Sequence, residues 1–430
     1  MQALLSFDQS PPLSAPLRFF LTAPLYLLLA GLLLAFAGES LFASRWTPAA
    51  LAMTHLLTLG FMLQVMLGAL IQILPVLAGA NLPNPLLIAR VVYPCLNLGV
   101  LALAAGLLIG STMLMHLAAL LLFLALTAFL MPAAWAVFGV PSTSPSIRGL
   151  KLSLLALLVT GALGIVLLLG LAAGWALPIH ELTNLHAAWG LGGWSGILLA
   201  AVAYVVVPMF QMTPGYPARP AWWFPLGIML ALLMWSLSLL PIMEWLLRPA
   251  LFLLAASGSA FVWQTLRLQR LRRRPRADVT LRYWQLGLWS SLVALLMLML
   301  QSLFPAISTY PVWDLLYGVL ILLGGFCAFI IGMLYKIVPF LLWLSLQNQA
   351  PLGKVPPVMN QLLSEADMQG QMKSFFVAFL LSTAAVLLPQ WLSWPAGLAL
   401  LVSGFWLAWN LLKALRRYRS IQADFSMGGA

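Results

Sequence analysis

Four histidines are the side chains best suited to chemistry in this 430-residue chain. Neutral imidazole is the commonest ligand for iron, copper and zinc, and heme iron takes it axially. His55 precedes Pro75 by 20 residues and His186 precedes Pro208 by 22, which along a helix puts each ring roughly 30 Å from its proline. His116 falls in the first turns of an apolar run near 112–138, and His180 stands just before another near 184–213. All four are therefore expected at one level, near one end of their helices. The neighbours are soft: Met53 lies two residues before His55, and Met113 and Met115 lie beside His116, three and one residues before it. Thioether with imidazole suits copper(I). His55 and His186 are the principal candidate ligands, with His116, His180, Met113 and Met115 as further candidate metal donors. The plainer reading is that a histidine at a membrane boundary is an interfacial polar group, and 19 methionines make chance neighbours common.

The elements that must hold these side chains follow from composition. Hydrophobic residues make up 63% of the chain, charged residues only 7%, and mean hydropathy is +1.02. Apolar stretches of about 20 residues recur throughout, each long enough to cross roughly 30 Å of hydrocarbon. Backbone in lipid must satisfy its own hydrogen bonds, so the stretches are helices. The run near 17–38 follows a polar leader with no basic start and no Ala-x-Ala-like site, and is expected as the first span. The prediction is an all-α polytopic protein, one integral membrane domain over 1–430. Its helices are expected near 17–38, 49–78, 86–110, 112–138, 149–173, 184–213, 221–241, 243–267, 283–304, 312–346, 373–390 and 393–414. A polar, Pro-containing stretch, 347–372, is expected as a mobile cytoplasmic loop. Cys95 and Cys327 sit far apart in apolar runs and imply no disulfide framework.

Charge sets the expected orientation. With the N-terminus in the cytoplasm, 19 of 21 basic residues fall on the cytoplasmic side, and only Arg45 and Arg248 fall outside. The loops expected to carry them hold Arg90, Arg148, Lys151, Arg219 and a cluster running from Arg267 to Arg282. This is the positive-inside pattern of a bacterial inner membrane protein with both termini cytoplasmic. The net charge of +12 is a topology signal and does not point to nucleic acid. The histidines then lie toward the outer face. Outer carboxylates are Glu39, Glu181, Glu244 and Asp314, and no carboxylate is expected at mid-membrane. Lys336 is expected to snorkel at the inner boundary.

A repeat runs through the chain. Gly60 to Pro75, Gly193 to Pro208 and Gly324 to Pro339 share a 15-residue spacing, and the prolines lie 133 and 131 residues apart. Gly68, Ala201 and Gly332 stand seven before the proline. Twelve helices then divide into three pseudo-symmetric four-helix units, near 17–138, 149–267 and 283–414. Small residues permit close helix approach, and the proline ends or bends each helix.

The second and sixth helices, "THLLTLGFMLQVMLGALIQILPVLAG" and "LHAAWGLGGWSGILLAAVAYVVVPMF", with the three-unit arrangement, resemble the heme-copper oxidase subunit I superfamily. That group includes nitric oxide reductases and, more distantly, NnrS-type membrane proteins. The resemblance implies that His55 is an axial ligand of heme b and that His186 ligates a separate copper or iron. It covers most of the chain as architecture but only these two segments as motif. The family's histidines in or after the seventh helix and in the tenth have no counterparts, and Tyr317 stands where the tenth would carry one. Oxygen or nitric oxide reduction is therefore not expected. The expectation is a degenerate relative binding heme b, copper or both near the periplasmic face, in respiration, nitric oxide stress or metal handling, with the lipid bilayer and another membrane or respiratory subunit as partners. A twelve-helix transporter, or a structural subunit without its own cofactor, remains the alternative. A reporter enzyme fused near Lys354 should report a cytoplasmic location; periplasmic activity there would reverse the orientation.

Overall fold

The computed structural model describes residues 7–274, 276–351 and 356–427. Lys354, and with it part of the expected 347–372 loop, lies outside the described residues. Twelve long helices follow one another: α1 Ser14–Ala37, α2 Pro48–Ala78, α3 Pro85–Ile109, α4 Thr112–Phe138, α5 Pro145–Ala173, α6 Ile179–Gln211, α7 Ala218–Leu237, α8 Pro241–Arg270, α9 Val279–Leu303, α10 Pro311–Gln349, α11 Glu365–Ala385 and α12 Pro389–Met427. No strand occurs among the described residues. All but α11 are long and apolar enough to span a bilayer, which makes this a multi-pass membrane protein. α11 carries Glu365, Asp367 and Lys373 in its first turns, so its apolar part is short.

Helix starts are fixed by side-chain caps. Ser144 accepts from the Ile147 amide with Pro145 in the first turn, Asp278 accepts from Leu281, and Ser364 from Asp367. These caps extend α5, α9 and α11 several residues ahead of the starts expected from hydropathy, because the first turns are polar. Gly110 and Gly174 end α3 and α5 at φ of 66° and 69°, a backbone region that L side chains rarely adopt. One consequence is a correction to the charge map. Arg90, Arg148, Lys151, Arg267, Arg270 and Arg282 sit within terminal turns of helices, not in loops. Lys336 does not snorkel alone: its ammonium is 2.8 Å from the Asp278 carboxylate, which also caps α9.

α2, α6 and α10 are the central helices. In their most apolar windows 83%, 56% and 67% of residues are buried, against 28–50% in the other spans. Each also contains a π-helical segment that the sequence reading did not anticipate: Leu56–Leu63, Trp189–Gly196 and Val319–Cys327. The segments begin 133 and 130 residues apart, and each contains one glycine of the repeat. π turns widen the helix locally and recur at functional sites.

The repeated small residues make equivalent contacts, each with the helix that precedes its own. A Cβ on Gly60 would strike the Tyr26 ring of α1, one on Gly193 would lie 2.9 Å from Ala156 Cβ of α5, and one on Gly324 would strike Ser290 of α9. Two turns on, a Cβ on Gly68 would be 2.9 Å from Phe20, and one on Gly332 would be 2.8 Å from Tyr283. At Ala201 the space is provided by the opposing Gly149, where an added Cβ would lie 2.7 Å from the alanine methyl. Pro75 and Pro208 stand three residues before the ends of α2 and α6, as expected, whereas α10 continues ten residues past Pro339 to Gln349.

The first and last helices close the bundle. Gly31, Gly397 and Gly404 bring α1 and α12 together backbone to backbone; a Cβ on Gly404 would lie 2.7 Å from the Leu28 nitrogen. Near the opposite end from the histidines, Gln371 Oε1 accepts from Tyr283 (2.6 Å) and Tyr335 (3.1 Å), and Asn410 Nδ2 donates to Tyr335 Oη (2.9 Å), joining α9, α10, α11 and α12. Replacing Gly397 with leucine should cost about 1–3 kcal/mol or more by overpacking, read as a lower melting temperature of the detergent-solubilised protein. Gly139→Ala, whose methyl would meet only two carbonyl oxygens, at 3.5 and 3.8 Å, should leave the melting temperature unchanged.

Candidate metal centre

His55 ends the α-helical first part of α2, immediately before its π segment. Its Nδ1 lies 2.8 Å from the Leu51 carbonyl oxygen, one turn back on the same helix. His186 stands three residues before the π segment of α6, and its Nδ1 reaches across to the Thr160 carbonyl of α5 at 3.1 Å. A carbonyl oxygen can only accept, so each Nδ1 carries the proton. In the neutral imidazole that leaves the Nε2 lone pair of both residues available for a ligand bond.

The two rings lie near each other and nearly parallel, with centroids 6.5 Å apart and planes inclined by 23°. That separation is too wide for stacked rings in contact. A metal midway between two imidazoles puts the centroids roughly 6 Å apart, from metal–nitrogen distances of about 2.0–2.1 Å plus a ring radius on each side. The two histidines thus lie beside one another, a proximity that the sequence reading left open.

Two supports of the pair lay outside the sequence reading. Gly164 of α5 gives the His186 ring its place, because a Cβ there would lie 2.9 Å from His186 Cε1. Arg45, just before α2, ties the ends of the three central helices: it is 3.0 Å from the Asp314 carboxylate of α10 and donates to Asn184 Oδ1 of α6 at 2.8 Å, two residues from His186. Its guanidinium also lies over the Trp46 ring at 4.5 Å. The only sequence signals were a mid-helix glycine in "VTGALG" and an isolated arginine on the face otherwise poor in basic residues.

The other candidates lie elsewhere. His180 is the second residue of α6, not in a preceding loop, and packs edge-on against Trp46 at 4.5 Å between centroids. His116 is exposed on α4, its Nδ1 bonded to the Thr112 carbonyl of the same helix at 2.7 Å. Met113 is exposed while Met115 is buried, since two residues along a helix turn a side chain by about 200°. The methionines therefore do not converge on His116. Trp189 and Trp194 are buried packing residues, and Trp189 Nε1 donates to Ser236 Oγ at 3.1 Å. Among the described residues, no group of three or more His, Cys, Asp and Glu side chains forms a metal site. The centre thus offers two imidazoles. Such a set suits iron whose equatorial positions are filled by a porphyrin, or copper(I) held by two nitrogens.

Neither protein-family models nor curated protein sequences match the chain.

Gly164→Leu should push the His186 ring off its carbonyl and weaken copper(I) binding by the purified protein about 10–100-fold, the usual cost of losing outer support for a ligand. Arg45→Ala should act in the same direction. Unchanged affinity in both variants would mean that neither residue positions the pair.

Proposed function

We propose that this protein holds heme b or copper between His55 and His186, near the periplasmic face of a bacterial inner membrane, as a redox or metal-handling relative of the heme-copper oxidase subunit I architecture. The neighbouring pair of imidazoles carries this reading. Both are oriented through Nδ1 by backbone carbonyls, and a centroid separation of 6.5 Å leaves room for one metal between their Nε2 atoms. Bound there, the metal would supply one-electron chemistry or a storage position for copper. The chain's own contribution is to fix both tautomers, to surround the pair with apolar helices, and to hold α6 against α2 and α5 through Asn184 and Thr160.

The three-unit architecture is part of the proposal. It is supported by π segments at periods of 133 and 130 residues and by the common glycine contacts with each preceding helix. The orientation, with N- and C-termini cytoplasmic, rests on the 19-to-2 distribution of basic residues. Catalytic reduction of oxygen or nitric oxide is not proposed, because α7 and α10 carry no histidine to complete a second metal centre. The place of action is respiration, nitric oxide stress or metal handling, alongside another membrane or respiratory subunit.

The test is to purify the full-length protein from cells supplied with heme precursor and copper, then record its absorption spectrum and metal content. The expected result is a Soret band or stoichiometric copper in the wild type, lost or spectrally shifted in His55→Ala and in His186→Ala. Full cofactor content in both variants, or a colourless metal-free wild type, would overturn the proposal.

A further inference from the structure

A cavity of about 840 Å³ opens among α6, α7, α8, α9 and α10, on a different side of α6 from the helix that holds His186. Its volume falls in the range of small-molecule sites. Its depth is apolar, walled by residues such as Leu199, Phe224, Ile228, Leu254, Phe261 and Phe329. Two glycines in its wall let leucines close in: a Cβ on Gly192 would lie 3.1 Å from Leu254, and one on Gly258 would lie 2.9 Å from Leu295.

The mouth is charged. Six charged residues belong to the histidine-bearing end of the bundle, and five of them line this one cavity: Arg45, Glu181, Glu244, Arg248 and Asp314, with Glu39 the exception. Arg45 and Asp314 neutralise each other in their ion pair. Glu181, Glu244 and Arg248 form no ion pair among the described residues. Three carboxylates against two guanidiniums leave the mouth with a net charge of −1, Glu181 and Glu244 outnumbering Arg248.

We infer that this cavity binds an amphiphile with an apolar body and a cationic head, the body lodged between α6 and α9 and the head held at the mouth by Glu181 and Glu244. The site is separate from the histidine pair and does not depend on a metal there. Shape selects the apolar body, and the sign of the mouth selects against an anion of the same size.

The test uses two probes of matched shape and opposite charge, tetraphenylphosphonium and tetraphenylborate, with the full-length protein in nanodiscs of uncharged lipid and empty nanodiscs as the blank. Tetraphenylphosphonium should bind saturably above the blank, and tetraphenylborate should not. Replacing both Glu181 and Glu244 with glutamine should weaken the cation at least about fivefold, the sum of two exposed charge contacts. Gly258→Phe should abolish binding by filling the cavity; if that variant does not fold, the glutamine pair decides. His55→Ala should bind the cation like wild type, which separates this result from the fate of the metal centre. Equal binding of both probes, or a cation affinity unchanged in the glutamine variant, would overturn the inference.

Discussion

Helices in hydrocarbon are not pressed together by the hydrophobic effect, since lipid tails are as apolar as leucine, so they associate only where backbones or side chains can approach closely. That constraint is met here by glycine at fixed places. Gly31, Gly397 and Gly404 close α1 on α12, and Gly60, Gly193 and Gly324 seat each central helix against the one before it. Filling any of these spaces separates two helices, and the geometry between α2 and α6 is then lost with them.

The histidine pair inherits its position from this packing. α6 lies close enough to α5 for His186 to bond the Thr160 carbonyl because Gly164 has no side chain beneath the ring. His55 is held from its own helix by Leu51. A buried polar group in this environment needs a partner, and here each Nδ1 has one while each Nε2 keeps its lone pair. Arg45 does the same at larger scale, linking the starts of α2, α6 and α10 through Asn184 and Asp314. The centre is thus built from outer support inward.

Much of the fold could be read from the sequence because the bilayer reduces it to length and apolarity. Twelve helices stand near the predicted apolar runs, eleven of them apolar enough to span; the errors lie at polar ends, where Ser144, Asp278 and Ser364 cap helices ahead of the hydrophobic signal and α12 runs on to Met427 through a basic stretch. His55 and His186 were singled out from residue type, helix position and the family resemblance. Their convergence was not legible, because it depends on which sides of α2 and α6 face each other, and one sequence does not fix helix rotation. The π segments were hidden for a similar reason: "LLTLGFML" and "VLILLGGFC" carry no polar pattern that separates a π turn from an α turn. Lys336 was expected only to snorkel, and its partner Asp278 was not singled out, since the 58 positions between them conceal a 2.8 Å contact.

The most direct test of a single metal centre between α2 and α6 is X-ray absorption at the iron or copper edge on the metal-loaded, full-length protein. Two imidazole nitrogens on one metal, at about 2.0–2.1 Å, with one of them lost in His186→Ala, is the predicted result. A metal carrying one imidazole or none in the wild type would contradict the account.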